Sequence, residues 1–418
     1  FMNLHHVLFE ALYEIKLTRR NLLFNMFVFF ALLTTISFTF ISFSESDKIE
    51  FGEFYLPWVV QALPSSIPFM TAYYYNFVQV LMVFFMVSND LRRLRFTTIS
   101  ALEARPQDNS DTIIGKFLGR VAIFSLVNVL IYSVMICYNL IYYPRVLNIS
   151  YYFFYGITLN FPVLIYFLSL SILVSRFINN QGISILFLLF FCVGTTICGA
   201  GVMNNLFDPF ARYIPNLFSD FVGHVQLTCF LLHQTIYLLM GICFLILSIL
   251  VYRRLPNNIH QVRSVLVFAM FPFILSVIFI AFYMGNFMRV ERNKNEYRQF
   301  YFEYEHVLKN RVLSNEIRLR DLGKEGVAVE SKMKIVNRNE EQIPVLLYLN
   351  PGLTVNGIKN GSVNLSFERK GPVILVDKQL AAEDTCDLIV SYEGIVDNDV
   401  CHLDQFAVPG YQRLNENR

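Results

Sequence analysis

The chain has 418 residues, is 55% hydrophobic and only 16% charged, and contains 42 Phe and 23 Tyr; soluble domains carry about 25% charge, so a string of soluble domains is excluded. Its mean hydropathy of +0.46 averages two unlike parts: residues 289–418 hold 38 charged residues in 130, about 29%, while 1–288 are only about 10% charged. Net charge is +4 in the first part and −2 in the second, which excludes the strong basic bias of a nucleic-acid partner.

In chain order, residues 3–20 (NLHHVLFEALYEIKLTRR) come first. They place Leu4, Leu8, Ala11/Leu12 and Ile15 at helical spacing with a basic end, the pattern of an amphipathic helix lying in the membrane interface. A cleaved secretory signal is not expected, because the apolar run that follows is too long for one. A membrane span needs about 20 predominantly apolar residues, and seven such runs follow: 21–43, 67–88, 119–143, 151–174, 183–203, 227–252 and 264–287. None contains Asp, Glu or Lys, and Arg120 at the edge of the third is the one Arg. Ion-coupled transporters usually place titratable groups at mid-bilayer. The one candidate here is His233, beside Gln234, which reads as a polar residue satisfied by a neighbouring helix.

Cations near the span ends set orientation. One set of flanks holds Lys16, Arg19 and Arg20, then Arg92, Arg93, Arg95, Arg105, Lys116 and Arg120, then Arg176, then Arg253, Arg254 and Arg263. The opposite set holds Lys48, Arg145 and Arg212. The first set is therefore expected in the cytoplasm with the N-terminus, and seven spans put residues 289–418 outside.

The one sizeable loop on the cytoplasmic side is 89–118, between the second and third spans. Ile99 and Leu102 predict a short helix ending before Pro106. Asp111 or Ser110 is expected to cap the helix after it. At these residues the chain resembles a type-2 class ATP-binding-cassette exporter permease. The resemblance rests on order: an interfacial elbow helix, two spans, a coupling helix with Glu and Arg-Pro, then Gly-Lys entering the third span. Asp90, Glu103, Arg105, Pro106, Gly115 and Lys116 match that pattern, and residues 204–224 fit the short half-helices of the class. The resemblance implies that the loop around Glu103 docks on a separate ATPase subunit, which binds the ATP and Mg. It also implies a second permease unit, identical or different, to complete the pathway. The chain contains no G-x-x-x-x-G-K-[ST] loop of its own, so ATPase activity is expected from the partner and the chain is not expected to be an enzyme.

Beyond the last span, 288–313 reads as a helical stalk and 314–418 as an all-β, sandwich-like domain. Val327, Val329, Ser331, Met333 and Ile335 alternate as on a half-buried strand. Further strands are expected at 315–321, 343–349, 361–368, 372–376 and 386–392. Asn350-Pro351-Gly352, Asn360-Gly361 and Lys370-Gly371-Pro372 mark turns between them. Residues 346–361, 372–380 and 386–397 resemble the N-terminal β-domain of HExxH zinc aminopeptidases, and Bacteroidetes-type proteins joining a type-2 permease to such a peptidase look similar along the whole chain. This sequence has no HExxH, and His306 and His402 are isolated, so a catalytic zinc site is not expected. A fragment of a longer protein and a non-catalytic relic remain open at this point. Five cysteines (Cys137, Cys192, Cys198, Cys229, Cys243) fall in spans. Cys386 and Cys401 lie in the external domain, where an oxidising compartment permits a bridge between them.

The whole chain thus reads as a helical polytopic membrane protein of about seven spans with an extracytoplasmic β-domain, in a bacterial inner membrane. The leading function is the permease subunit of an ATP-driven exporter with an unidentified cargo. One alternative is a non-transporting ATP-driven signalling assembly whose β-domain recruits a periplasmic partner. The other is the membrane-anchored front half of an aminopeptidase-like protein.

Overall fold

The computed structural model describes residues 3–43, 66–96, 108–178, 180–198, 202–211, 214, 218–219, 223–224, 227–252, 259–304 and 306–397. The chain divides into two compact units, Phe1–Met284 and Gly285–Arg418.

The first unit is helical. Helix α1 (Leu4–Arg19) is followed by α2 (Leu22–Phe43), α3 (Ile67–Phe96), α4 (Asn109–Tyr142), α5 (Ile149–Tyr155), α6 (Phe161–Phe177), α7 (Gln181–Val193), α8 (Leu227–Val251) and α9 (Ile259–Glu303), whose residues from Gly285 onward belong to the second unit. A π-turn at Gly156–Asn160 joins α5 to α6, and another at Gly194–Cys198 ends α7. The first π-turn sits just before Pro162, whose ring has no N–H and crowds the carbonyl four residues back, so the local backbone widens.

Six helical segments among the described residues are long and apolar enough to cross a membrane: Leu22–Phe40, Ile67–Asn89, Asn109–Tyr142, Ile149–Phe177, Leu227–Val251 and Val262–Phe300. The chain is a multi-pass helical membrane protein with an antiparallel β-domain. The fifth expected span, 183–203, is the exception: its helix is the shorter Gln181–Ile197. After Cys198 the described chain turns instead of continuing, because Met203, Asn204 and Asn205 all take positive φ, a conformation that no helix propagates. The third span begins ten residues earlier than its apolar run. The seventh continues as one 45-residue helix that ends at Glu303, ten residues short of the expected end of the stalk at 313, where the first strand of the β-domain, Arg311–Asp321, has already begun.

Within the second unit, β3 (Arg311–Asp321), β4 (Val327–Val336), β10 (Thr385–Gly394), β6 (Leu353–Asn360) and β7 (Val363–Leu365) form a five-stranded antiparallel sheet in that order. A three-stranded sheet holds β5 (Ile343–Tyr348), β9 (Val373–Leu380) and β8 (Phe367–Lys370). The sheets share a core of Ile335, Val345, Ile358, Ile374, Val376, Leu380, Cys386, Leu388 and Val390. The end of α9 runs onto the smaller sheet, where Tyr304 packs with Leu346 and Val373.

Two strand expectations change. The segment Leu353–Asn360 is a full strand, although Asn356 and Gly357 disfavour one; it is held as the neighbour of β10. The single strand expected at 361–368 is two, β7 and β8, in different sheets. The Asn360-Gly361 hairpin forms, with Asn360 paired to Val363 and Gly361 at φ +61.

Candidate functional site

One end of the first unit is tied together around the base of α4. Helix α1 lies along that base, and its buried seam is Val7, Ala11, Glu14 and Thr18. The leucines of the apolar face read from the sequence are not part of this seam. Leu4, Leu8 and Leu12 are 64%, 54% and 67% exposed and form a stripe beside the seam, placed to meet acyl chains.

Close approach is possible because α4 presents Gly115 and Gly119. A Cβ at 119 would lie 2.6 Å from the Ala11 carbonyl oxygen and 2.9 Å from Glu14 Cβ; one at 115 would lie 2.8 Å from the Val7 oxygen. This is the small-x-x-x-small crossing by which membrane helices bring their backbones together.

Polar groups lock both ends of the seam. Arg120 Nε donates to Glu14 Oε1 at 2.8 Å, with both side chains only 4–5% exposed. At the other end the Asn3 backbone N–H donates to the Asp111 carboxylate at 3.2 Å, and His6 Nδ1 lies 3.8 Å from the same group. Asp111 therefore does not serve as the N-cap of α4. The residue in that position is Asp108, which makes no side-chain capping bond. From the first turn of α4, Asp111 reaches across to the amino end of α1, so one carboxylate meets the positive ends of two helix dipoles.

The same end gathers the tips of α6 and α8. Asn109 Nδ2 donates to the Tyr252 carbonyl at 3.2 Å, and the Arg176 guanidinium lies 4.5 Å over the Tyr252 ring. Ile113, Ile249 and Tyr252 pack beneath. The same end carries Lys16, Lys116, Arg120 and Arg176, four of the cations that the sequence assigned to a single face.

Of the residues expected to couple to an ATPase, Glu103, Arg105 and Pro106 lie outside the described residues, as does the short helix expected around Ile99 and Leu102. Asp90 is on the last two turns of α3. Gly115 and Lys116 are on α4, where Gly115 is part of the α1 seam and Lys116 is half-buried beside it. Sequence reasoning missed Glu14, Gly119 and the destination of Asp111. A signal for the seam was present in Gly115-Lys-Phe-Leu-Gly119.

Toward the other end, residues 202–211 enter the helical unit as a run of tight turns. They are not the half-helices expected for 204–224. Leu206, Asp208, Phe210 and Ala211 are buried. Tyr237 OH donates to the Leu206 carbonyl at 2.8 Å, Tyr283 OH to Asn204 at 2.7 Å, and Gln234 Nε2 to Pro209 at 3.3 Å. Phe210 stacks on Phe77 and Phe167 with centroids 4.4 Å and 5.6 Å apart. His233 is fully buried between this segment and the rings of Tyr237 and Tyr283, so a re-entrant turn surrounds it as much as a helix does. Within the described residues the remainder of that stretch is a two-residue hairpin, β1 (Phe218–Ser219) with β2 (Gly223–His224).

A second polar group lies inside the unit at the π-turn. Gln79 Nε2 donates to the Asn160 carbonyl at 3.2 Å. Asn76 Nδ2, Gln79 Oε1 and Tyr75 OH are buried with no partner among the described residues. Amide and hydroxyl groups held in this way offer hydrogen bonds to water or to an uncharged polar group.

In the β-domain Cys386 is part of the sandwich core, while Cys401 and His402 lie outside the described residues. Compared with known protein families and with curated proteins, the chain matches none.

Proposed function

We propose that the chain is the permease subunit of an ATP-driven exporter, working in a bacterial inner membrane with a separate ATPase that binds ATP and Mg. The amino-terminus and the 89–118 loop face the cytoplasm and the β-domain faces the periplasm, which requires the shorter helix Gln181–Ile197, about 26 Å long at 1.5 Å per residue, to cross as the fifth of seven spans. A second permease unit, a copy or a relative, completes the pathway.

The observation that supports this reading is the tied base of α4. The loop expected to dock on the ATPase leads directly into Asn109, and from there four helices are joined: α1 through Glu14–Arg120 and Asp111–Asn3, α8 through Asn109–Tyr252, and α6 through Arg176–Tyr252. A push delivered to the loop would enter a block that moves together. Helices α3 and α4, of 30 and 34 residues, are about 45 and 51 Å long at 1.5 Å per residue. Both exceed a hydrocarbon core of about 30 Å, which leaves turns projecting toward a partner.

The test is purification of the full chain from its native membrane. A bound ATPase is expected. Glu103→Ala should weaken that association about tenfold or more, the scale for truncating one member of a hydrogen-bonded charge pair. A chain that purifies without any ATPase would sink the proposal. Cargo movement in vesicles then separates an exporter from an assembly that only signals.

A further inference from the structure

Strand β3 is an edge strand of eleven residues, every one of them exposed. Edges of this kind pair with other strands unless they are blocked by brevity, proline or inward-pointing charge. The other three edges of the two sheets of the β-domain are short or blocked: β7 has three residues, β8 has four, and β5 carries Pro344. Strand β3 has no proline, and its one irregularity lies near its start, between Val312 and Ser314.

Its register on β4 assigns its faces. Ile317 pairs with Ser331, Leu319 with Val329 and Asn315 with Met333, so Asn315, Ile317 and Leu319 share the face of the sheet that bears the core. Ile317 and Leu319 are nevertheless 56% and 63% exposed, because the three-stranded sheet does not extend over them. Ser314, Glu316, Arg318 and Arg320 point to the opposite face.

We propose that β3 pairs antiparallel with β3 of a second copy of this chain, across a two-fold axis through Ile317, to give a continuous ten-stranded sheet. The charge pattern selects this occupant and this register. Directly opposed residues of an antiparallel pair lie on the same face, and a two-fold joins like faces, so the axis must pass through a residue. Centred on Glu316, the pairing opposes two glutamates; centred on Arg318, it opposes two arginines. Centred on Ile317, it opposes Ile317 to itself, Asn315 to Leu319, Ser314 to Arg320, and Glu316 to Arg318 twice. No like charges meet, and opposite charges face each other on the solvent side. Within one chain Arg318 already bonds Glu316 at 3.2 Å, so pairing turns two separate ion pairs into one alternating group of four. Such an interface is isologous and closes on itself. It rests on the second unit alone and stands whether or not an ATPase drives the first.

The test uses the full chain in its native membrane and cysteine cross-linking under mild oxidation. At the axis, Ile317→Cys places two thiols on residues with Cα atoms about 4.5–5.5 Å apart, within disulfide range. Ile317→Cys is expected to give a disulfide-linked dimer absent from the unsubstituted chain. Lys332→Cys, one strand inward, is expected to give none, since the two copies of β4 lie about 14 Å apart, three strand spacings. In the Ile317→Cys background, Glu316→Arg or Arg318→Glu alone should lower dimer yield about tenfold by opposing like charges at two positions, and the two together should restore it. Equal cross-linking at 317 and 332, none at 317, or charge reversals that show no mutual rescue would each overturn the proposal.

Discussion

Removing one member of the Glu14–Arg120 pair should free α1 from α4, whereas removing both should not. The charged atoms are 2.8 Å apart with both side chains almost wholly out of solvent. At an effective dielectric of about 20, that separation gives a Coulomb attraction of about 6 kcal/mol. Burial costs each ion several kcal/mol, so attraction and desolvation nearly offset and the pair adds little net stability over an apolar pair of like shape. An orphaned charge keeps the desolvation and loses the attraction, at about 3–5 kcal/mol. Glu14→Leu and Arg120→Met should therefore each be severe, and the double substitution should recover most of the loss.

The readout is peptide-resolved hydrogen exchange of residues 4–19 in nanodiscs, which reports opening of α1 rather than of the whole molecule. Each single variant should lose about 100-fold or more in protection, while peptides of the β-domain stay unchanged. The coupling between the two sites, the sum of the two single losses less that of the double, should be about 5 kcal/mol or more. Singles within about 0.5 kcal/mol of the parent chain, or a double variant that loses the sum of both, would refute the assignment of this pair as the lock.

Two further outcomes follow from packing. Gly119→Val would push a side chain into the Ala11 carbonyl, already 2.6 Å from a single added Cβ. Backbone cannot yield there, so α1 should be displaced at a cost of about 1–3 kcal/mol, read as faster exchange in 4–19; unchanged exchange would exclude a tight crossing. In the β-domain, Asn337 is fully buried, and its Nδ2 donates to the carbonyls of Glu341, Leu380 and Ala381 at 2.8–3.1 Å. Asn337→Ala strands those carbonyls and should cost about 3 kcal/mol, seen as lost protection in β4, β5 and β9; a loss below about 0.5 kcal/mol would mean that the connections at 337–342 and 381–384 hold without it.

The spans were legible because hydrocarbon imposes a uniform demand. A segment crossing it must be apolar for about 20 residues and bond its own backbone, and both features leave a local trace. The 183–203 run met the apolar criterion and still gave a short helix, because left-handed turns at Met203, Asn204 and Asn205 carry the chain back into the helical unit, where the hydroxyls of Tyr237 and Tyr283 and the Gln234 amide hold it. No local pattern announces partners that lie 25 to 79 residues away. In α1 the leucines dominated the periodic signal, but the buried seam contains Glu14, whose burial depends on an arginine 106 residues along the chain. The period-2 alternation located β4 reliably. It could not separate β7 from β8, because the chain changes sheets there within one polar residue, Ser366.

By itself the sequence determined that the chain is a multi-pass helical protein with a charged, strand-rich second part, that turns of that part fall at 350–352, 360–361 and 370–372, and that its cations cluster at one set of span ends. These are properties of solvent transfer and local backbone preference, which each segment carries alone. Only the tertiary structure decided that Asp111 serves α1 instead of α4, that Gly115 and Gly119 form a crossing, that residues 202–211 fold back around His233, and that β3 stands at an open edge. Each depends on which distant surface a residue meets, and chain order alone does not specify that.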